Sequence, residues 1–430
     1  MKKVLIIGYL EPYCLYRGGS PRTLGLANYL IEFGWQPIVL TAPLRGKPDF
    51  GAKVKIIETP YRDMFYHLKK LLRWFGISSD RSVSEQLKEK IGVTSKKSFI
   101  DFLLNSYMAI FAYPDTEKYW KSFAIKETDK LLEKEKIDAV ISIWPITAHL
   151  VAKELKDKYK IPWIADFTHL WSQGYYYKYG PIRKLFDKKL EIKTILKADA
   201  LTTVSDYFIG KLKELHKRQF IHFIPHGFDP SWLQTAPPSL TTKFTITYTG
   251  HIYPEKQRVS KFFIAIKELI DENLLNPEEV EIRFYGEEGD WLKKEIEKYK
   301  LSEIIHQYGP IPHRVSLQKQ HESQILLHLG WDDKNIKGFY TSKIFEYLAA
   351  QRPILGVGGA SDGVVEKLLS ETKAGVYGKE ILEVKNFIKA FYDEYKFQGK
   401  ITYQGDIKKI NKYSHRKMAK KFADILNRLI

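Results

Sequence analysis

Cysteine is almost absent from this chain of 430 residues, in which Cys14 stands alone. A single cysteine excludes an intrachain disulfide, which suits the reducing cytosol. Long apolar runs are also missing, and the longest one near the middle, 107–113, is far short of the ~20 residues that a spanning helix needs. No charged, apolar and small-residue leader pattern opens the chain. We therefore expect a cytoplasmic protein without a transmembrane segment.

Acidic residues are few relative to basic ones: 51 Asp and Glu stand against 69 Lys and Arg, and the formal net charge is +18. Such a balance favours anionic partners, namely nucleic acid, an acidic membrane surface or a phosphate-bearing substrate. The sequence lacks zinc-ligand spacing and an aromatic RNA-binding signature, so no specific nucleic-acid partner is expected. A solvated basic surface with no specific partner would have the same composition.

Alternating strand and helix patterns are abundant and predict an α/β protein with parallel sheets. The alternation runs through 1–225 and begins again at 243, and the intervening segment 226–242 is rich in proline, glycine and hydroxyl residues, as linkers are. A chain of this length is also too long for one ordinary domain. We therefore predict two lobes, 1–225 and 243–430, with a cleft between them. The last helix, roughly 414–429, fits against either lobe.

Residues 61–125 interrupt this alternation with a basic, amphipathic helical pattern. Apolar residues recur at helical spacing with basic residues between them: Phe65, Leu68, Leu71, Leu72 and Phe75, with Lys69, Lys70 and Arg73. Two interpretations stay open. The insertion either covers the core with its lysines in water, or contacts an anionic membrane or an acceptor.

The segment 338–355 has the pattern of a loop, the start of a helix and a buried strand. Thr341, Ser342 and Lys343 cluster at the helix start, and Glu346 follows within the first turns. A helix N-terminus beside an ammonium binds phosphate oxygens, and a carboxylate one turn further accepts from sugar hydroxyls. A capping box would place its cap three residues before Glu346, where lysine stands, so this structural alternative fails. The segment therefore predicts half of a nucleotide-sugar site.

Further candidates follow the strands predicted in the first lobe. Gly18 and Gly19 precede a helix start, where a glycine backbone can approach an anion, although a plain tight turn would look the same. Asp166 follows an apolar strand, His169 comes three residues later, and His149 lies in the first turn of a helix. Ligands of open α/β sheets bind at the carboxyl ends of strands. We regard Asp166, His169 and His149 as candidate catalytic residues, with satisfied structural groups as the alternative.

Several sequence blocks stand in a characteristic order. In the first lobe they are Gly18-Gly19, 113–115 with Trp120, 137–142, 145–150, 161–171, 198–205 and 224–229. In the second lobe they are 248–253 and 343–348. Together they resemble glycosyltransferases of the GT-B fold, family 4 in the sequence classification. The ordered set covers most of the chain outside 61–110 and is specific for the fold and the reaction class rather than for the sugar.

The resemblance implies the GT-B architecture, in which two Rossmann-like lobes with parallel sheets face each other across a cleft. It implies transfer of a sugar, with retention, from a nucleotide diphosphate sugar to a polysaccharide or glycolipid precursor, without a cofactor or a metal. By position, Glu346 would bind the donor ribose. The donor diphosphate would be bound by Gly18, Gly19, Arg258, Thr341, Ser342 and Lys343. The donor base would be bound by Tyr308, Gly309 and Ile311.

Some positions depart from the family pattern. Gly338 stands about two helical turns before Glu346, where many members carry another glutamate. His251 stands where an arginine usually binds phosphate, and Thr168 and His169 replace an arginine and a carboxylate. These departures support a second hypothesis, a non-catalytic nucleotide-binding or scaffold protein of the same fold. A sugar-nucleotide epimerase is disfavoured, because no set of acid and base carboxylates is recognisable.

Overall fold

The computed structural model describes residues 1–8, 21–44, 54–62 and 111–430, except 176, 178, 234–238, 255, 287, 334–335 and 360–362. Most of the insertion predicted at 61–125 lies outside the described residues, and so do Gly18 and Gly19. No helix in the described part of the chain is long and apolar enough to span a bilayer.

The first lobe is built on a parallel sheet of seven strands in the order β3-β2-β1-β4-β5-β6-β7. The strands are β1 (Lys2–Ile7), β2 (Trp35–Thr41), β3 (Lys55–Glu58), β4 (Ala139–Ile143), β5 (Trp163–Phe167), β6 (Ala200–Thr203) and β7 (Ile221–Phe223). The central strands are buried on both faces, which is why most of their residues are apolar in the sequence. The helices described here are α1 (Pro21–Tyr29), α2 (Lys121–Lys134), α3 (Ile146–Tyr159), α4 (Pro181–Ile195) and α5 (Asp206–Leu215).

The second lobe contains a parallel sheet of six strands in the order β10-β9-β8-β11-β12-β13. Its strands are β8 (Phe244–Thr249), β9 (Val280–Tyr285), β10 (Ile305–Gln307), β11 (Ile325–Leu329), β12 (Ile354–Val357) and β13 (Gly375–Gly378). Its helices are α6 (Ser260–Asp271), α7 (Asp290–Lys298), α8 (His313–Glu322), α9 (Lys343–Ala350), α10 (Val364–Thr372), α11 (Ile381–Gln398) and α12 (Ile407–Ile410). The expected α/β architecture with two parallel sheets is confirmed.

The last helix, α13 (His415–Leu429), follows the second lobe in sequence but packs on the first. Its apolar face, with Met418 and Phe422, joins the core formed by β1 and α1. The approach of the two helices is close, because a Cβ added to Gly25 of α1 would lie 2.5 Å from the His415 ring. The chain therefore crosses between the lobes twice.

The lobes also touch through the loop before α9. Phe339 of this loop stacks on His169 of the first lobe with ring centres 6.0 Å apart, and packs edge-on against Tyr175 at 5.9 Å. Behind it, Phe345 of α9 lies 6.2 Å from the His226 ring at the exit from the first lobe. The cleft is therefore bridged by aromatic side chains at this point.

Candidate functional site

Lys343 is the first residue of α9, and its ammonium reaches the carboxyl end of β8. Its Nζ donates to the Tyr248 Oη at 2.5 Å and lies 4.0 Å from the centre of that ring. Gly250 follows β8 with a φ of +102°, and a Cβ there would lie 3.1 Å from Nζ. Burial lowers the pKa of Lys343 to about 7, although the charge of Glu346 opposes this shift. A bound diphosphate would restore the ammonium form.

Glu346 lies one turn further along α9, between two side chains of α8. Its Oε1 is 3.1 Å from His313 Nε2, and its Oε2 accepts from Gln320 Nε2 at 3.2 Å. Burial would raise the pKa of Glu346, but the bond and charge of His313, together with Gln320 and Lys343, lower it below its usual value. The carboxylate is therefore ionised at neutral pH and can accept hydrogen bonds from hydroxyl groups.

The start of α9 is anchored to β8 by a buried polar network. Tyr347 Oη accepts from the Thr249 backbone N–H at 3.0 Å, and Gln320 Nε2 donates to Thr249 Oγ1 at 3.0 Å. Gln320 thus bonds to both Thr249 and Glu346 and fixes their relative positions. These contacts hold Glu346 and the start of α9 in place against β8.

A pocket of about 270 Å³ opens at the carboxyl ends of β8, β9 and β10. Gly250, Gly286 and Gly309 form part of its wall, and the Gly286 N–H donates to Gly309 O at 3.0 Å. A Cβ on Gly286 would lie 2.4 Å from Gly250 O, so the close approach of these turns requires glycine. Glu288 and Trp291 complete the side towards α7. The volume is just below the ~300 Å³ at which small-molecule sites begin, enough for part of a nucleotide.

Of the three residues predicted to bind the donor base, one lines the pocket and two do not. Gly309 lines the pocket with a φ of +67°. The Tyr308 ring instead stacks on Tyr285 at 4.9 Å, and its hydroxyl donates to Glu281 Oε1 at 2.7 Å. Ile311 is half-buried and is not among the residues that form the pocket wall.

The other described residues predicted to bind the diphosphate are Ser342, Thr341 and Arg258. Ser342 is the N-cap of α9 but makes no capping bond with its side chain. Thr341 Oγ1 lies 3.4 Å from His328 Nε2. Arg258 is exposed and lies 3.8 Å from Asp332, a solvated pair that costs little to break for a phosphate contact.

Asp166 is fully buried and paired with Arg22 of α1. Arg22 donates from Nε to Oδ2 at 2.5 Å and from Nη2 to Oδ1 at 2.9 Å, and Thr202 Oγ1 donates to Oδ1 at 2.5 Å. The same guanidinium donates to the backbone oxygens of Ile224 and Pro225. This network joins α1, β5 and the chain that leaves β7. It favours a structural role for Asp166 over the predicted catalytic one.

His149 is also buried and bonded inside the first lobe. Its Nδ1 lies 2.7 Å from Ser142 Oγ, and its ring stacks on Phe167 at 5.1 Å. Burial lowers the pKa of His149 to about 3, so the imidazole is neutral. These contacts are those of a structural histidine.

His169 is the predicted catalytic residue that lies against the second lobe. Its ring stacks on Phe339 and meets the edge of Trp144 at 5.5 Å. Burial lowers the pKa of His169 to about 4, which leaves a neutral imidazole at the cleft. Such a group can donate or accept one hydrogen bond at each ring nitrogen.

Gly338 has a physical reason to be glycine. Its φ is +71°, and a Cβ would lie 2.6 Å from Ser205 Oγ and 2.7 Å from Tyr207 Cβ in the first lobe. A glutamate has no room here while the lobes are in contact. Within the described part of the chain, no group of three or more His, Cys, Asp or Glu side chains is placed to hold a metal ion.

His313 and Gln320 are absent from the site predicted by sequence, although they hold Glu346. They are seven residues apart on one helix, a spacing that places both side chains on the same face. That spacing is the sequence feature that could have pointed to them. Glu288 and Trp291 of the pocket are absent from it too. The sequence signal for them was the turn with Gly286 and Gly289 that follows β9.

Comparisons with known proteins bear on fold and family. Residues 106–232 match the family model described as Glycosyltransferase Family 4. Sucrose-phosphate synthase from Thermosynechococcus elongatus superposes with a TM-score of 0.68 at 10% identity, covering 100% of this chain and 99% of that one. HepE of Anabaena in complex with UDP has a TM-score of 0.62 at 11% identity, covering 100% of both chains. WaaG, a glycosyltransferase involved in lipopolysaccharide biosynthesis, has a TM-score of 0.56 at 11% identity, covering 98% and 99%.

These findings confirm the expected resemblance. The chain has the fold of the GT-B glycosyltransferases, and its segment 106–232 has the sequence pattern of their family 4. No curated protein matches the sequence at the level that marks a relative.

Proposed function

We propose that the protein is a retaining glycosyltransferase that moves a sugar from a nucleotide diphosphate sugar to a polysaccharide or glycolipid precursor. The observation that carries this proposal is the placement of Lys343 and Glu346, one turn apart on α9, beside a glycine-walled pocket at the carboxyl ends of β8, β9 and β10. The UDP and UDP-glucose held by HepE, which shares the fold, support a donor of this class. We place the reaction in the cytosol, at the inner face of a membrane.

The donor would lie across the carboxyl edge of the second sheet. Its diphosphate would meet the Lys343 ammonium and the helix start at Ser342, and its ribose hydroxyls would donate to Glu346. The base would lie against the backbone of Gly309, and Arg258 would swing from Asp332 to a phosphate oxygen. This orientation places the sugar towards the cleft, beside Phe339 and His169.

Transfer breaks the bond between the anomeric carbon and the diphosphate oxygen and forms a bond from that carbon to the acceptor oxygen on the same face. Negative charge grows on the diphosphate, and Lys343 with the start of α9 would stabilise it by several kcal/mol, roughly 3–4 for one such donor. The leaving phosphate oxygen takes the acceptor proton, so no carboxylate nucleophile and no metal are needed. The aromatic bridge of Trp144, His169 and Phe339 would keep water from the donor.

A non-catalytic nucleotide-binding or scaffold role is the second candidate. The observations that favour it are the engagement of Asp166 by Arg22 and the absence of a carboxylate at Gly338. Such a protein would bind donor at the same pocket but would neither transfer nor hydrolyse it.

A panel of nucleotide diphosphates and nucleotide sugars in thermal unfolding tests the donor site. A ligand at a hundredfold its Kd should stabilise the protein by ~2.7 kcal/mol. Lys343→Ala and Glu346→Gln should reduce this shift. Lys389→Ala should not, because Lys389 is a half-exposed lysine of α11 that pairs with Asp393. Binding that is equal in all four proteins would contradict the donor site. Binding without transfer or hydrolysis in an acceptor screen would favour the scaffold.

A further inference from the structure

Helix α4 presents an apolar face that the donor site does not use. Ile182, Leu185 and Phe186 are 74%, 54% and 55% exposed, and Ile192 and Leu196 are exposed along the same side. At 3.6 residues per turn, all five fall within about a third of the helix circumference. Single exposed apolar residues are ordinary, but five along one helix form a continuous surface.

The lysines of α4 are exposed, whereas its acidic residues are buried. Its exposed lysines are Lys184, Lys188, Lys189 and Lys193. Asp187 and Glu191 are the sole acidic residues between positions 179 and 198, and both are fully buried. By helical spacing, Lys189 lies at the centre of the apolar arc and Lys193 lies inside one of its edges. Lys188 lies beside the arc, and Lys184 lies further round towards the buried side. The exposed face of α4 therefore combines apolar and positive groups and has no negative one.

The inward position of Asp187 is fixed by hydrogen bonds. It accepts from Arg183 Nε at 2.8 Å and from the Tyr177 hydroxyl at 2.6 Å. Arg183 also donates to the backbone oxygens of Ala112 and Pro114, which ties the segment with the half-exposed Phe111 to the start of the helix.

Glu191 is held one turn further on. Its Oε2 accepts from the Ser172 N–H at 3.0 Å and from Ser172 Oγ at 2.5 Å, and its Oε1 lies 3.2 Å from His216 Nε2. Both acids are bonded inside the lobe, so turning the helix over would break these bonds and bury exposed lysines in their place. The apolar and basic face is a fixed feature of the fold.

We propose that the exposed face of α4 docks on an anionic lipid bilayer. Apolar tips with lysines among them fit the boundary of lipid headgroups and acyl chains, because lysine stems lie along apolar surface while their ammonium groups reach the phosphates. The cores of protein interfaces are depleted in lysine, whereas here two lysines lie within the apolar arc and one of them, Lys189, is at its centre. A bilayer therefore fits this face better than a protein partner. The proposal does not depend on donor binding.

The test uses the full chain with Cys14→Ser, so that a single new cysteine carries an environment-sensitive dye. Leu185→Cys reports from α4, and Leu382→Cys, an exposed leucine at the start of α11, is the matched control. Vesicles are phosphatidylcholine with or without phosphatidylglycerol, at about a third of the lipid. We expect a blue shift for the α4 label with anionic vesicles alone, weaker at high salt, and none for the control.

Co-sedimentation with the same vesicles measures how much each group of side chains contributes to lipid binding. Lys189→Gln with Lys193→Gln should weaken binding about thirtyfold, at a factor of five or so for each lysine near an anionic surface. Leu185→Ser with Phe186→Ser should weaken it at least as much, with unfolding temperatures of the soluble variants unchanged. Binding that ignores both pairs, no binding to anionic vesicles, or a dye shift that follows protein concentration without lipid, which marks self-association, would each overturn the proposal.

Discussion

Donor binding is expected to draw a proton into the site, because Lys343 is held where its charge is disfavoured. Its pKa is lowered to about 7 by burial against Tyr248 and the turn at Gly250. Glu346 is the carboxylate whose charge opposes the shift. At pH 8 roughly nine in ten molecules of the free protein would carry neutral Lys343, but a diphosphate needs the ammonium form.

The size of the effect follows from the two pKa values. If the bound lysine returns to its ordinary pKa of about 10.4, each pH unit above 7 weakens binding about tenfold, or about 1.4 kcal/mol. Between pH 6 and 8.5 the Kd should rise about thirtyfold. The direction of the pH dependence is that of a group that is charged in the complex and neutral in the free protein. The affinity is therefore greatest below pH 7 and falls as the pH rises.

Calorimetry in two buffers of different ionisation enthalpy measures the proton directly. A nucleotide sugar is the right ligand, because a free diphosphate has a terminal phosphate that itself titrates near pH 6. Uptake should be close to one proton at pH 8 and close to zero at pH 6. Lys343→Arg keeps its charge at every pH and should bind without uptake.

His313 is the second titratable group at the site. Burial alone would lower its pKa, but pairing with Glu346 raises it, so it could also exchange a proton when a ligand binds. His313→Asn removes this contribution and should leave the uptake at pH 8 in place. If the Kd does not change between pH 6 and 8.5, or if Lys343→Arg shows the same uptake as the native protein, the assignment of Lys343 to the diphosphate is wrong.

Three further substitutions test the site and its support. Gly338→Ala should lower the free energy of unfolding, measured in urea, by about 2–4 kcal/mol. The control Gly399→Ala should cost about 1 kcal/mol, because Gly399 shares a positive φ but a Cβ there meets no atom within 4 Å. Equal losses in the two variants would refute the interlobe contact. Glu346→Gln should weaken nucleotide-sugar binding about ten- to hundredfold in calorimetry, and an unchanged Kd would exclude the ribose contact. Asp166→Asn should cost about 3–5 kcal/mol of stability because Arg22 is left buried without its partner, whereas a purely catalytic residue would lose turnover with unfolding unchanged.

The strands that sequence predicts well are the buried central ones. β1 and β4 are aliphatic over most of their length, because helices cover both faces of a parallel sheet. β5 and β8 are equally buried but include aromatic residues with an aspartate or threonines. β10 and β13 are short and carry polar residues or glycine, so neither stands out as an apolar run. They are recognised once the neighbouring strand is known.

The last helix shows a different limit. An apolar face on α13 predicts that the helix packs, but not against which lobe, since an apolar stripe fits any apolar surface of similar shape. The choice depends on contacts far apart in sequence, such as the fit of the His415 ring over Gly25 of α1. A local pattern cannot contain that information.

The candidate site also has parts that a local sequence pattern reveals and parts that depend on distant contacts. The start of α9 is local: cap, lysine and glutamate stand within five residues, and their chemistry can be read from their order. Asp166 looks the same in sequence whether it serves catalysis or structure, because both kinds of carboxylate follow strands. Its partner Arg22 is 144 positions away, and that pairing, seen in the fold alone, decides between the two interpretations.

Gly338 changes meaning when the two lobes are seen together. By family resemblance it marks a missing glutamate and so a weakened sugar site. In the structure it is the point where the loop before α9 meets Ser205 and Tyr207, and this contact leaves no room for any side chain. The same loop carries Phe339 onto His169, so the close contact between the lobes and the aromatic bridge arise from one backbone path. In this arrangement a glutamate at position 338 would therefore force the lobes apart.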